Sequence, residues 1–252
     1  YLFVFEFPTT TTEFVVDSII FRNLTTDSDF GGGCGLWIKS RQMKRYTLHF
    51  KSCIFEDCHA VSNGKVTREC SNGRGGALQF GWTPSISDVD MVISNCEFIR
   101  NVADLDGGAL CIMIQNNVEI TQCKFTDNKA GASTPDQDQN FGGAIAIYPN
   151  YEYGNHRYSE FIHIDGCTFS GNIGNNANAI FIQDASNSDI YIGGNCKFID
   201  NVNGSTSQSV AMIEARKLEM DECVFDFSSV SKSCNAINTN ATTFLLTNSK
   251  FT

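Results

Sequence analysis

No run of about 18 apolar residues occurs in this chain, so nothing in it reads as a membrane-crossing helix. Proline is scarce, four residues in 252, and no Ser/Pro-rich or Lys/Glu-rich tract marks a linker. One continuous domain over residues 1–252 is therefore expected. Basic residues are outnumbered, 18 against 28 acidic ones, for a net charge of −10. A nucleic-acid partner needs clustered Lys and Arg to meet its phosphates. The single basic cluster here, "KSRQMKR" at 39–45, is short and reads as a solvated loop. Zinc-holding spacings are absent too, since there is no Cys-x-x-Cys and no His/Cys constellation. The opening "YLFVFEFP" starts at Tyr1 without Met, and lacks the length and basic flank of a signal peptide. Either a leader has been removed or the chain is an excerpt of a longer one.

What the chain has in abundance is phenylalanine, 20 residues, and it is placed periodically. Aligned on Phe, one half-repeat recurs as "FVVDSIIF" ending at Phe21, "LHFKSCIF" at Phe55, "MVISNCEF" at Phe98 and "VEITQCKF" at Phe125. It continues as "IHIDGCTF" at Phe169, "IYIGGNCKF" at Phe198, "LEMDECVF" at Phe225 and "FLLTNSKF" at Phe251. Two residues before Phe stand Cys53, Cys96, Cys123, Cys167, Cys196 and Cys223, with Ile19 and Ser249 in the outer copies. Three residues after it stand Asn101, Asn128, Asn172 and Asn201, while Leu24, Cys58 and Ser228 hold that place in the edge copies. A second half follows each: "GGGCGLWI", "GGALQF", "GGALCI", "GGAIAI", then the degenerate "ANAIFI", "SVAMI" and "NAINT". Successive Phe are 34, 43, 27, 44, 29, 27 and 26 residues apart, so the basic unit is near 26 and the surplus lies in polar insertions at 62–72, 130–140 and 149–159.

Both halves alternate like short strands and are rich in Phe and β-branched residues. A short all-β unit that repeats this way cannot bury its apolar face alone, so neighbours must stack. The expected fold is all-β: a single-stranded right-handed parallel β-helix, or solenoid, of about eight turns with loop insertions. At the usual strand spacing it forms a rod on the order of 40 Å long. Phe is expected to stack in the lumen, with Cys as a small apolar wall residue beside it. Asn is expected to take a left-handed conformation at the bend, and Gly-Gly to supply a corner no Cβ permits. Asp57, Arg100, Asp127 and Asp200, two residues past Phe, read as an outward ladder of ion pairs.

The paired Phe-x-x-Asn and Gly-Gly-Ala-Ile motifs resemble those of the chlamydial polymorphic outer-membrane proteins, autotransporter passenger β-helices, over about residues 14–252. Similar repeats occur in surface proteins of some protists. The resemblance implies an extracellular or cell-surface location and an adhesive or structural role. The membrane barrel and signal of such autotransporters are not in this sequence, so their secretion route does not carry over.

Candidate sites are few. Asn-x-Ser/Thr occurs at Asn23, Asn203 and Asn240, where a secreted eukaryotic protein would carry glycans. Asp27 and Asp29, Asp104 and Asp106, and Asp136 and Asp138 precede Gly-Gly. The last two pairs fall on adjacent turns, where their oxygens suit Ca²⁺. They are also the candidates for an alternative reading, a polysaccharide lyase or glycoside hydrolase of the pectin-lyase-like class, which needs convergent carboxylates. Of the 11 cysteines, Cys58 and Cys70 flank the first insertion and are the expected disulfide, while Cys34, Cys111 and Cys234 have no assignment. His49 and His163 share a column with Glu119, Tyr191 and Glu219 that reads as exposed sheet surface. Finally, "YLFVFEF" matches a second half-repeat and "LLTNSKFT" a first, so the ends are complementary halves of one turn. Head-to-tail stacking of copies into a filament is the expected partnership, with glycans or a host or cell-surface ligand as further partners.

Overall fold

The computed structural model describes residues 3–7, 13–27, 33, 36–40, 46–62, 73–80, 89–113, 117–131, 141–148, 150–152, 155–157, 160–202, 209–228 and 235–252. Among them every regular element is a β-strand, and none is a helix long and apolar enough to cross a membrane.

The strands pair parallel, each with its counterpart in the next sequence repeat. The Phe-bearing strands form an 8-stranded sheet that runs in chain order from Ile20–Arg22 to Lys250–Phe251. Phe meets Phe throughout, from Phe21↔Phe55 to Phe225↔Phe251. Two-residue strands, Thr25–Thr26, His59–Ala60, Val102–Ala103 and Lys129–Ala130, form a 4-stranded sheet beside it. The longer strands before the Phe column, such as Tyr46–Lys51 and Val89–Ser94, make one ladder of a 12-stranded sheet. Strands after Gly-Gly, such as Leu78–Phe80, Leu110–Ile112 and Ile145–Ile147, make its other ladder. Where no insertion separates them, the two halves fuse into Ala177–Gly193 and Ser209–Asp221, which belong to both ladders. Phe3–Phe7 pairs parallel with Leu36–Ser40, as expected of a second half-repeat.

Burial follows the period-two alternation of a strand. Leu48, Phe50, Met91, Ile93, Val118 and Ile120 point inward from the long strands, and meet the Phe column and Leu78, Leu110 and Ile145 in one core. Consecutive Phe rings stack at centroid distances of 4.7–5.0 Å with planes within 6°. Such stacking adds about 0.5–1.5 kcal/mol per pair beyond burial.

Two expectations need correction. Asn101, Asn128, Asn172 and Asn201 are buried and do not take the left-handed conformation. That conformation falls one residue earlier, on Arg100 (φ 52°), Asp127 (55°), Gly171 (64°) and Asp200 (51°), whose N–H groups bond the next repeat. A second left-handed column, including Ser52, Asn95 and Gln122, precedes the cysteines. The cysteines, in turn, are more than apolar filler. The N–H groups of Cys53, Cys96, Cys123 and Cys167 each reach the sulfur of the next cysteine at 3.3–3.4 Å. Each of those thiols also lies 3.2–3.6 Å from carbonyls it can donate to. In the last repeat Ser249 takes over, its Oγ accepting from Cys223 N–H at 3.1 Å and donating to Thr247 O at 2.8 Å.

Candidate functional site

The Gly-Gly corner brings the backbones of adjacent repeats close together. Its first glycine needs positive φ, +63° at Gly75, +65° at Gly107 and +69° at Gly142. Its second, as at Gly108, has no room for a Cβ, which would strike Gly143 O and the Lys129 backbone. The acidic residues singled out by sequence sit immediately before this corner.

Asp104 and Asp106, expected to offer their oxygens to Ca²⁺, lie within hydrogen-bonding reach of neighbouring repeats. Both are buried. Asp104 Oδ1 lies 2.9 Å from His59 Nε2, and its Oδ2 accepts the Ser62 N–H at 2.8 Å. Asp106 Oδ1 accepts the Phe141 N–H at 3.0 Å, and its Oδ2 lies 3.0 Å from Arg74 Nε. All four carboxylate oxygens therefore already hold a protein partner. The physical reason is the corner itself, which strips backbone N–H groups and cations of water and leaves the carboxylates to satisfy them. Asp136 and Asp138, the other half of the expected Ca²⁺ pair, lie outside the described residues, as does Asp29. Among the described residues no group of three or more His, Cys, Asp or Glu is placed to hold a metal.

Arg74, which the sequence reading passed over, completes the corner. It stands before Gly75-Gly76 as Asp106 stands before Gly107-Gly108, so the ion pair joins adjacent repeats along one column. Its guanidinium lies 5.4 Å from the Tyr148 ring centroid. Although Nε is within ion-pair distance of Asp106, its N–H is not aimed for a hydrogen bond, and the Tyr148 hydroxyl is likewise buried without one. Burial first, and then the charge of Asp106, hold the Tyr148 phenol well above its usual pKa. Cys111, Met113, Ala146, Tyr148, Ala177 and Phe181 form a small second core here, on the sheet face opposite the main one. Phe141 stacks on Phe181 at 4.1 Å. Burial raises the Cys111 thiol to about 12. A buried ion pair, a buried thiol and a phenol held protonated thus meet at this corner.

On the far outer surface, Arg100 reaches back to the preceding repeat, 2.8 Å from Asp57 and 2.6 Å from Glu56. Glu56 also holds Arg22 at 2.5 Å. The expected ladder is shorter than its column, since among the described residues no ion pair links Arg100 to Asp127. Cys58 stands at the start of the Asn column, its N–H donating to Asn101 Oδ1 at 3.1 Å and its thiol buried toward Phe21 O and Glu56 O. Its expected partner Cys70 lies outside the described residues, as do Cys34 and Cys234. Asn23 is exposed, with φ 54°, and Asn240 is exposed beside the last strands; Asn203 lies outside the described residues. His49, Glu119, His163, Tyr191 and Glu219 do form one outward column in register.

No protein family, curated protein or solved structure matches the chain.

Proposed function

We propose that the chain is an extracellular structural or adhesive element built as a right-handed parallel β-helix of about eight turns, in the manner of the polymorphic outer-membrane-protein passengers it resembles. The observation that carries this reading is the unbroken in-register pairing of one Phe per repeat, with ladders of Cys and Asn beside it in the inner repeats. A surface whose buried Asn, Asp104 and Asp106 side chains are committed to neighbouring repeats suits load-bearing or display. Exposed Asn23 and Asn240 suit glycans on such a surface. A polysaccharide-cleaving reading needs two carboxylates free to reach substrate, and Asp104 and Asp106 are engaged elsewhere.

In its sharper form, copies join end to end. Strands Thr243–Thr247 and Lys250–Phe251 leave Phe244, Leu245, Leu246 and Phe251 exposed, the last at 48%. Glu13–Asp17 and Ile20–Arg22 occupy the same columns at the other end, with Val15, Ile19 and Ile20 exposed but Phe21 only 6% exposed. The two edges differ, as a head-to-tail joint requires. Sedimentation over a concentration series tests it. Wild type is expected to grow into longer species and Phe251→Asp to stay single; one concentration-independent wild-type species overturns the filament.

A further inference from the structure

The long-strand ladder turns one face outward, and there Phe161, His163 and Tyr191 form a row of rings. His163 and Tyr191 are Cα partners on adjacent strands, with ring centroids 4.9 Å apart and planes 26° from parallel. Phe161 lies two residues before His163, on the same face, 40% exposed and 5.6 Å from the imidazole. Gly193 shows how Tyr191 lies. A Cβ at 193 would run into the Tyr191 ring and hydroxyl, and the glycine is itself buried at an outward position. The phenol thus lies along its strand over Gly193 and remains partly exposed.

Carboxylates flank this row. Glu119 is the in-register neighbour of His163 and is exposed. Asp165 is the neighbour of Gly193, close enough that a Cβ at Gly194 would meet it. Neither side chain has a hydrogen-bond or ion-pair partner among the described residues. The nearby cations are committed, Arg216 to Asp189 at 2.9 Å and Lys217 to Glu219 at 2.7 Å.

A pyranose ring presents a face of C–H groups and a rim of hydroxyls. Weakly positive C–H groups pack on the negative face of an aromatic ring. Rim hydroxyls donate to ionised carboxylates in bonds stronger than neutral ones. Among the described residues an anionic sugar meets like charge here, the nearby Arg216 and Lys217 being paired. The geometry points to a binding platform for a neutral glycan, stacked along Phe161, His163 and Tyr191 with Glu119 and Asp165 accepting from its hydroxyls. This deepens the adhesive reading above and rests on it.

The test is retention of the full chain on immobilised neutral hexose and N-acetylhexosamine polymers, beside polygalacturonate and an Arg-rich peptide. Retention on a neutral polymer is expected, weakened by about tenfold in Tyr191→Ala and in Gly193→Val, which displaces the ring. Lys124→Ala, a distant exposed site, should change nothing, and thermal unfolding midpoints identify any variant that has simply lost its fold. No neutral retention, retention only on the Arg-rich peptide, or retention indifferent to Tyr191→Ala and Phe161→Ala overturns the platform. Cell adhesion measured with the same variants separates the two claims. Adhesion that survives Tyr191→Ala removes the platform and keeps the adhesive role, whereas wild type without adhesion removes the role itself.

Discussion

Asn101 gives two protons to one atom. Its backbone N–H and its side-chain Nδ2–H both meet Oδ1 of Asn128, each at 3.0 Å. Asn128 repeats the arrangement on Asn172, and Asn172 on Asn201. Each Nδ2 also donates to the carbonyl of a Phe in the preceding repeat, Phe55, Phe98 or Phe125. Removing one side chain therefore orphans groups on both sides. Asn128→Ala should cost about 3–5 kcal/mol, because it leaves two Asn101 donors and the Phe98 carbonyl buried and unpaired. Asn128→Asp should be no milder, since it loses the donor and buries a charge. Urea unfolding of both variants checks this; a loss under about 1 kcal/mol would contradict the ladder.

The Phe column should be uneven along its length. Phe125→Ala opens a cavity between two stacked rings and should cost about 3–5 kcal/mol. Phe251→Ala removes a half-exposed ring with one stacked neighbour and should cost much less. Equal losses in the same denaturation experiment would contradict the placement of Phe251 at an open edge.

Cysteine in the ladder should be replaceable by serine better than by alanine. Ser249 already makes both bonds, and Cys123→Ser retains an acceptor for the Cys96 N–H. Cys123→Ala orphans that N–H at about 1–3 kcal/mol. The eight described thiols are buried, and burial, then the charges of Cys196 and Asp221, lifts Cys223 to about 12. In native protein none of these eight should react with a maleimide, and all should react once unfolded. Labelled Cys96 or Cys123 in the native mass spectrum would contradict the account.

Much of this was legible in the sequence. The Phe column and the Gly-Gly corner recur at fixed offsets, and parallel register converts recurrence directly into contact. The polar chemistry was less legible. An alignment column shows that Asn recurs at 101, 128, 172 and 201, but not that the left-handed residue is its predecessor, because Arg100, Asp127, Gly171 and Asp200 share no residue type. Asp104 and Asp106 looked free because their partners, His59, Ser62, Arg74 and Phe141, come from other repeats, the first two also from different columns. Arg74 and Phe141, in the same place before Gly-Gly as Asp106, carried the signal.

Acid should loosen the outer surface near Arg100. Hydrogen bonding from Arg100, then Arg22, holds Glu56 below its ordinary pKa, and Arg100 does the same for Asp57. Groups with depressed folded pKa values stabilise above their unfolded pKa, near 4 or just above, and lose that contribution as pH falls through the folded value. Arg100→Met should flatten the acid limb of a thermal-midpoint profile and its dependence on salt. An unchanged profile would show that the pairs contribute nothing to folding. The effect should be small, as these side chains are solvent-screened.

Diffraction from oriented native material tests the central claim, that stacked repeats form a load-bearing or displaying rod. A reflection near 4.8 Å is expected along the long axis, from strands lying across it, in rods that lengthen by end-to-end joining. Compact particles without that axial spacing would contradict it.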